Sequence, residues 1–201
     1  MVMAQGDTIT PRLPRIILAA SGSVAANKFG KLCHYFSKWA EVKAVITDCA
    51  YHFLDTSTIP EDIDLYRDDD DWDWNMLGDK ILHIELCRWA DILVIAPLSA
   101  NTLAKIAGGL CDNLLTCVVR AWDYDKPFFI APAMNTLTWK NSFTETHLMA
   151  VDELGVTLIP PVTKKRACGD YGNGAMAKSS IINMTVQSFV ELQPLPAGSN
   201  V

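Results

Sequence analysis

Three groups of residues carry side chains suited to chemistry, and each falls where a loop meets a regular element. His83 stands at the start of HIELCRWA, in which Leu86, Cys87 and Ala90 share its helical face, so its imidazole is expected to point inward. Histidine changes charge near neutral pH and is the natural proton acceptor wherever such a face borders a site. A core histidine with a satisfied hydrogen bond is the competing reading. The second group lies in PPVTKKRACGDYGNGAMAK, where Cys168 follows Lys164, Lys165 and Arg166 and stands among Gly169, Gly172 and Gly174. Neighbouring cations favour the thiolate, which makes Cys168 a candidate reactive thiol. The glycines would let the loop close as a lid, although an ordinary glycine-rich loop has the same composition. The third group is a pair of turns rich in hydroxyls and amides, SGSVAA at 21–26 and PLSANT at 97–102. Free N–H groups at a helix start attract an anion, and Ser21 and Ser23 could donate to it. The same residues serve equally as helix caps.

Placing these groups takes short buried strands alternating with helices. RIILAA, Arg15–Ala20, reads as a buried strand; 24–39 reads as a helix with Phe29, Leu32, Cys33 and Phe36 on one face; 41–47 reads as a second strand. Together they open a parallel crossover. Residues 55–80 break the pattern, and DDDDWDW at 68–74 is expected to be a solvated acidic loop anchored by its tryptophans. Helix 82–90, strand 91–96, helices 101–107 and 110–120, strand 127–131, helix 141–154, short strand 156–159, loop 160–178 and helix 180–193 complete the chain. Residues 1–14 and 193–201 are expected to be loose ends around a domain at 15–192. This alternation predicts an α/β fold with a parallel sheet covered on both faces. Ligands then bind beyond the carboxyl ends of the strands, at 21–24, 47–48, 97–102, 132–135 and 160–178. Hydroxylic turns at two such ends suit a mononucleotide-sized ligand such as flavin mononucleotide, its ring against Ala133 and Met134. SGSVAA lacks the third glycine of the dinucleotide fingerprint.

Composition excludes several classes. A chain of 201 residues is most naturally one domain and can bury roughly 70% of its surface. Half the residues are hydrophobic and 20% charged, which excludes wholesale disorder. Seventeen Lys and Arg against 23 Asp and Glu give a net charge of −6, so nucleic acid is not expected as a partner. No apolar run approaches the ~18 residues of a membrane span, and the N-terminus lacks the apolar core of a secretory signal. A reduced cytoplasm is the expected compartment. The cysteines, Cys33, Cys49, Cys87, Cys111, Cys117 and Cys168, form no CxxC, and the first five lie in apolar segments. They are expected to be buried, with no metal site and no disulfide framework.

The segments ASGSVAA, HIELCRWAD, IAPLSANTLAKIAGGLCDNLLT, APAMN and ACGDYGNGAMA together resemble the phosphopantothenoylcysteine decarboxylases over residues 15–190. The similarity is greatest to the plant halotolerance-type flavoproteins of that family. The resemblance implies a flavodoxin-like three-layer α/β subunit, a homotrimer, and flavin mononucleotide held at subunit interfaces. It implies decarboxylation of 4′-phospho-N-pantothenoylcysteine to 4′-phosphopantetheine in coenzyme A biosynthesis. A cysteine carboxylate has no electron sink, so the family first oxidises the thiol to a thioaldehyde. Carbon dioxide leaves toward an ene-thiolate, which is then reduced.

The roles implied for this chain follow from matching motifs. His83 is the base, Asn135 holds the substrate carboxylate, and Cys168 donates a proton to the ene-thiolate. Gly22, Ser23, Val24, Thr47, Ser99, Ala100, Asn101, Thr102 and Ala133 contact the flavin. Asn135, Lys165, Arg166, Ala167, Gly172 and Met176 contact the substrate, most of them within a clamp at 164–176. His83 meets Asn135 and Cys168 across a subunit boundary, so a monomer is expected to be inactive. Cys87, Asn27, Lys178 and Ser179 depart from the usual plant pattern. Asn27 follows the phosphate turn; the others are expected at the rim or at trimer contacts. Fungal relatives regulate a protein phosphatase, which leaves such a partner open, as it leaves open a direct part in salt tolerance. A decarboxylase of peptides ending in cysteine is a third reading. The basic residues before ACGDYGNGAMA speak against it, since they suit a phosphorylated substrate.

Overall fold

Alternating strands and helices assemble into a six-stranded parallel sheet in a computed structural model that describes residues 12–72, 76, 78–165 and 171–193. Its strands are Arg15–Ala20 (β1), Glu41–Ile46 (β2), Asp64–Tyr66 (β3), Ile92–Leu98 (β4), Phe128–Pro132 (β5) and Thr157–Leu158 (β6). Their spatial order is β3-β2-β1-β4-β5-β6, every pair parallel. Val162–Lys165 (β7) and Tyr171–Ala175 (β8) form a separate antiparallel hairpin. The α-helices are Phe29–Phe36 (α1), Asp48–Tyr51 (α2), Leu82–Trp89 (α3), Ala100–Ala107 (α4), Leu114–Arg120 (α5), Thr136–Trp139 (α6), Ser142–Asp152 (α7) and Ser179–Leu192 (α8).

Side chains alternate across a strand, so each strand supplies two cores. From β1, Ile16, Leu18 and Ala20 join Phe29, Leu32 and Phe36 of α1 and Ile182 and Val186 of α8. Ile17 and Ala19 face the other way, toward Leu86 of α3, Leu103 of α4, Leu115 of α5 and Val151 of α7. β4 divides likewise, Val94 to the first core and Leu93 to the second. Strands covered on both faces must be apolar throughout; β4 is, and so is β1 beyond Arg15. The expected flavodoxin-like three-layer α/β architecture is therefore the one observed. Among the described residues no helix is long and apolar enough to cross a membrane.

Several elements differ from the reading of the sequence, each for a local reason. The helix expected at 24–39 is a 3-10 turn over Val24–Lys28 followed by α1, which ends at Phe36. The helix expected from 110 begins only at Leu114, because Asn113 and Thr116 exchange hydrogen bonds in a capping box that sets the first turn there. Leu110, left outside it, is 51% exposed. The interruption at 55–80 contains β3, and the loop expected at 160–178 contains β7 and β8. Of the five cysteines expected to be buried, Cys33 and Cys87 are, whereas Cys49 and Cys111 are exposed and Cys117 is half-buried; all five are free thiols.

The arm expected to be loose through residue 14 is fastened from Arg12. Its guanidinium grips both Asp91 oxygens at 2.7 Å, and Asp91 also accepts the Arg15 N–H at 2.9 Å. Burial pushes the Asp91 carboxyl up, but these hydrogen bonds outweigh it and hold it below the ordinary carboxylate value. A depressed native value means stability that is present above the unfolded carboxylate range and lost as pH falls through the native one. Asp91→Asn should therefore cost about 1–2 kcal/mol near neutral pH. The variant should also lose stability less steeply than the parent below roughly pH 4; urea unfolding across pH checks both.

Candidate active site

From β1 the chain passes to β2 on one side, and a later crossover brings it to β4 on the other, so the carboxyl edge opens between β1 and β4. The two hydroxylic turns meet there. Ser21 is fully buried; its hydroxyl donates to the Pro97 carbonyl at 3.1 Å and accepts the Ser99 N–H at 2.8 Å. Ser21, offered by the sequence as an anion donor, is thus committed to joining the two turns.

The other hydroxyls shape their own helix starts. Ser23 accepts the Ala25 N–H at 3.3 Å, and buried Thr47 accepts the Ala50 N–H at 3.2 Å. Ser99 accepts the Thr102 N–H at 3.2 Å and donates to the buried Thr102 hydroxyl at 3.1 Å. Val24 and Asn101 are exposed at the lip, with Gly22 and Ala100 half-covered beside them. A Cβ on Gly22 would stand 2.6 Å from the Cys49 Cβ, so only glycine lets this turn lie against the start of α2. The Ala133 N–H donates to the Leu98 carbonyl at 2.9 Å and draws the segment PAMN alongside. Small residues at Gly22, Ala100 and Ala133, with helix-start hydroxyls at one end, fit a flat mononucleotide such as a flavin.

Asn135 is exposed and caps α6, its Oδ1 accepting the Leu137 N–H at 2.8 Å. Its amide NH2 is uncommitted among the described residues. The β8 strand is pinned beside it: the Met134 N–H donates to the Gly174 carbonyl at 2.9 Å. A Cβ on Gly172 would stand 2.5 Å from Thr136 Oγ1, itself buried without a partner among the described residues. Gly172 therefore lies against Thr136, the neighbour of Asn135, with Met176 buried just past β8. Lys165 ends β7, its side chain outside the described part. Arg166, Ala167 and Cys168 lie outside the described residues.

His83 is the second residue of α3, at the carboxyl edge because helices in parallel crossovers run back against the strands. It is less inward than its helical face suggested. Its Nδ1 lies 3.0 and 3.1 Å from the two Asp71 oxygens, and its backbone N–H donates to Asp71 Oδ1 at 3.3 Å. Asp71, His83 and Cys117 offer polar atoms all within 4.8 Å of one another. Burial pushes the Cys117 thiol up to about 11.

Asp71 was not legible as a site residue, since the acidic run was expected to be solvated. In the structure Asp68 accepts the Asp48 N–H at 3.1 Å, Asp70 the Arg67 N–H at 2.6 Å, and Asp71 holds His83. Twelve residues separate Asp71 from His83, so no local pattern in the sequence signals the pair. The Cys87 departure belongs to the core rather than the rim, its thiol donating to the Val118 carbonyl at 3.3 Å.

One chain does not itself bring His83 to Asn135. α3 packs with Val45 of β2 and Ile17 of β1, and Asp71 follows β3, whereas Asn135 follows β5. Between β2 and β5 lie β1 and β4, about 14 Å at the usual strand spacing.

The flavoprotein family model matches residues 9–191. Phosphopantothenoylcysteine decarboxylase HAL3 of Malus domestica is 69% identical over 192 residues, covering 95% of this chain and 90% of its own. Among solved structures, a cysteine-to-serine mutant of PPC decarboxylase complexed with pantothenoylaminoethenethiol superposes with a TM-score of 0.89 at 67% identity, over 90% of this chain and 100% of that one. The FMN binding protein AtHal3 superposes with a TM-score of 0.86 at 67% identity, over 90% and 99% of the two chains.

The serine bridge gives this site a direct test. Ser21→Ala leaves the Ser99 N–H buried without its acceptor and should cost about 1–3 kcal/mol, read as a lower urea midpoint with an unchanged denaturant slope.

Proposed function

The chain belongs to the flavoprotein family, and we propose that it is the phosphopantothenoylcysteine decarboxylase of coenzyme A biosynthesis, releasing carbon dioxide from 4′-phospho-N-pantothenoylcysteine to give 4′-phosphopantetheine. The observation that carries this reading is the Asn135 turn locked to the glycine hairpin beside the β1–β4 crevice. A decarboxylase of that name, 69% identical over 95% of the chain, supports it. Gly22, Ser23, Val24, Ser99, Ala100, Asn101 and Ala133 would hold flavin mononucleotide, with Thr47 and Thr102 shaping the turns from beneath. When bound, the flavin supplies a reversible two-electron acceptor that the side chains of the protein lack.

The protein's own groups then divide the work. His83 takes the proton of the substrate thiol as the carbon beside sulfur gives up a hydride, leaving a thioaldehyde. The C=S group is the sink into which the C–CO2 bond breaks, and the ene-thiolate forms. Asn135, its Oδ1 held by α6, turns its NH2 to the substrate carboxylate. Cys168 gives a proton as the ene-thiolate regains a hydride, so the net reaction is not a redox change. The enethiol held by the related cysteine-to-serine mutant is a decarboxylated form not yet reduced, which supports a cysteine at that step. Lys165 and Arg166 would supply the positive charge that meets the substrate phosphate.

The separation of His83 from Asn135 within one chain supports a homotrimer in which neighbouring subunits complete each site. Leu137 and Phe143, 80% and 70% exposed beside that turn, suit such a covered surface. Free thiols at Cys49 and Cys111 suit the cytoplasm.

Incubation of the flavin-loaded protein with phosphopantothenoylcysteine should give a product lighter by one carbon dioxide. His83→Asn should keep its flavin absorbance yet lose roughly 100-fold or more in turnover. Cys168→Ser should release carbon dioxide but accumulate a product two hydrogens short of phosphopantetheine. Full turnover by Cys168→Ser would assign the proton donor elsewhere.

A further inference from the structure

We propose that Asp71 is a positioning residue for His83, fixing the imidazole as the Nδ1–H tautomer so that Nε2 carries the lone pair that takes the substrate proton. The part played by the lone pair rests on the reading above; the tautomer does not. An ionised carboxylate only accepts hydrogen bonds, so a ring nitrogen 3.0 and 3.1 Å from both oxygens must be the donor. The His83 backbone N–H reaches the same carboxylate at 3.3 Å. Main chain and ring are thus held by one group, which sets the ring plane as well as its proton.

The carboxylate is itself supported. Asp71 lies in the 3-10 turn Asp68–Trp72, which is tied to the segment after β2 by Asp68 on the Asp48 N–H and closed by Asp70 on the Arg67 N–H. The turn packs against both α3 and α5. From α5 comes the remaining group in reach, Cys117, whose thiol stays neutral and donates to the Cys111 carbonyl at 3.4 Å. Asp71 is therefore the anion that meets His83. Once Nε2 has taken a proton the ring is cationic, and the adjacent carboxylate stabilises that charge as well as aiming it.

The test uses the flavin-loaded enzyme labelled with 15N-histidine. The chain has four histidines, and signals missing from the His83→Asn spectrum identify its ring. The proposal expects a protonated Nδ1 and a bare Nε2 in the parent. In Asp71→Asn, whose amide can present either oxygen or NH2, it expects a mixture of tautomers. Turnover of that variant should fall roughly 10–100-fold with KM within about twofold. A parent ring protonated at Nε2, or an Asp71→Asn enzyme with kcat within about twofold of the parent, overturns it. Should the variant fail to fold, the parent spectrum decides alone. Should the parent turn over no phosphopantothenoylcysteine, the functional reading fails while the tautomer is still read.

Discussion

A single buried hydroxyl, that of Ser21, sets the spacing on which the crevice depends. Parallel strands diverge beyond their last hydrogen bonds because the sheet twists, and at a switch point the two connections also leave on different courses. Nothing in the sheet itself would then hold the turn after β1 against the turn after β4. Ser21 does so by bonding Pro97 and Ser99 at once, with its backbone N–H also on the Pro97 carbonyl. Buried where water cannot compete, that bridge fixes the relative positions of two helix starts, and with them any ligand laid across them.

Much of the framework was legible because burial writes itself into composition. RIILAA and EVKAVI are short, mostly apolar segments bounded by turn residues, and they became β1 and β2 almost as read. The hydroxylic turns were legible for the same reason that they work, since a strand ending in small polar residues leaves its edge open. What escaped was decided by side chains bonding to backbone. Asn113 and Thr116 start α5 four residues later than hydrophobicity suggested. Asp68 and Asp70 turn a run of like charges into a ligated turn, and burial pushes the Asp68 carboxyl above its ordinary value. Such bonds depend on which N–H groups the fold leaves unpaired nearby, and no window of sequence contains that information.

The meeting of Asp71 with His83 is the clearest case. The two are twelve residues apart, too far for any helical or strand period to relate them. They meet because β3 delivers a 3-10 turn to the carboxyl edge and α3 starts from the same edge, while α5 packs behind both. The run that supplies Asp71 looks solvent-facing by charge alone, yet Asp68, Asp70 and Asp71 are each occupied with another residue of this chain.

Asn135 shows how a structural duty can fix a chemical one. Capping α6 holds its Oδ1 on the Leu137 N–H, which leaves the NH2 as the face presented outward. An amide free to rotate could offer either end to a ligand; one held by its oxygen offers donors only, and donors suit a carboxylate. The hairpin reinforces this choice, because β8 can lie against Thr136 only where residue 172 lacks a side chain. The Met134 N–H on the Gly174 carbonyl then closes the unit. Asn135 and the hairpin form one unit on the β5 side of the sheet, His83 and Asp71 another on the β2 side, with β1 and β4 between them. A chain built this way holds each pair through bonds within its own side of the sheet.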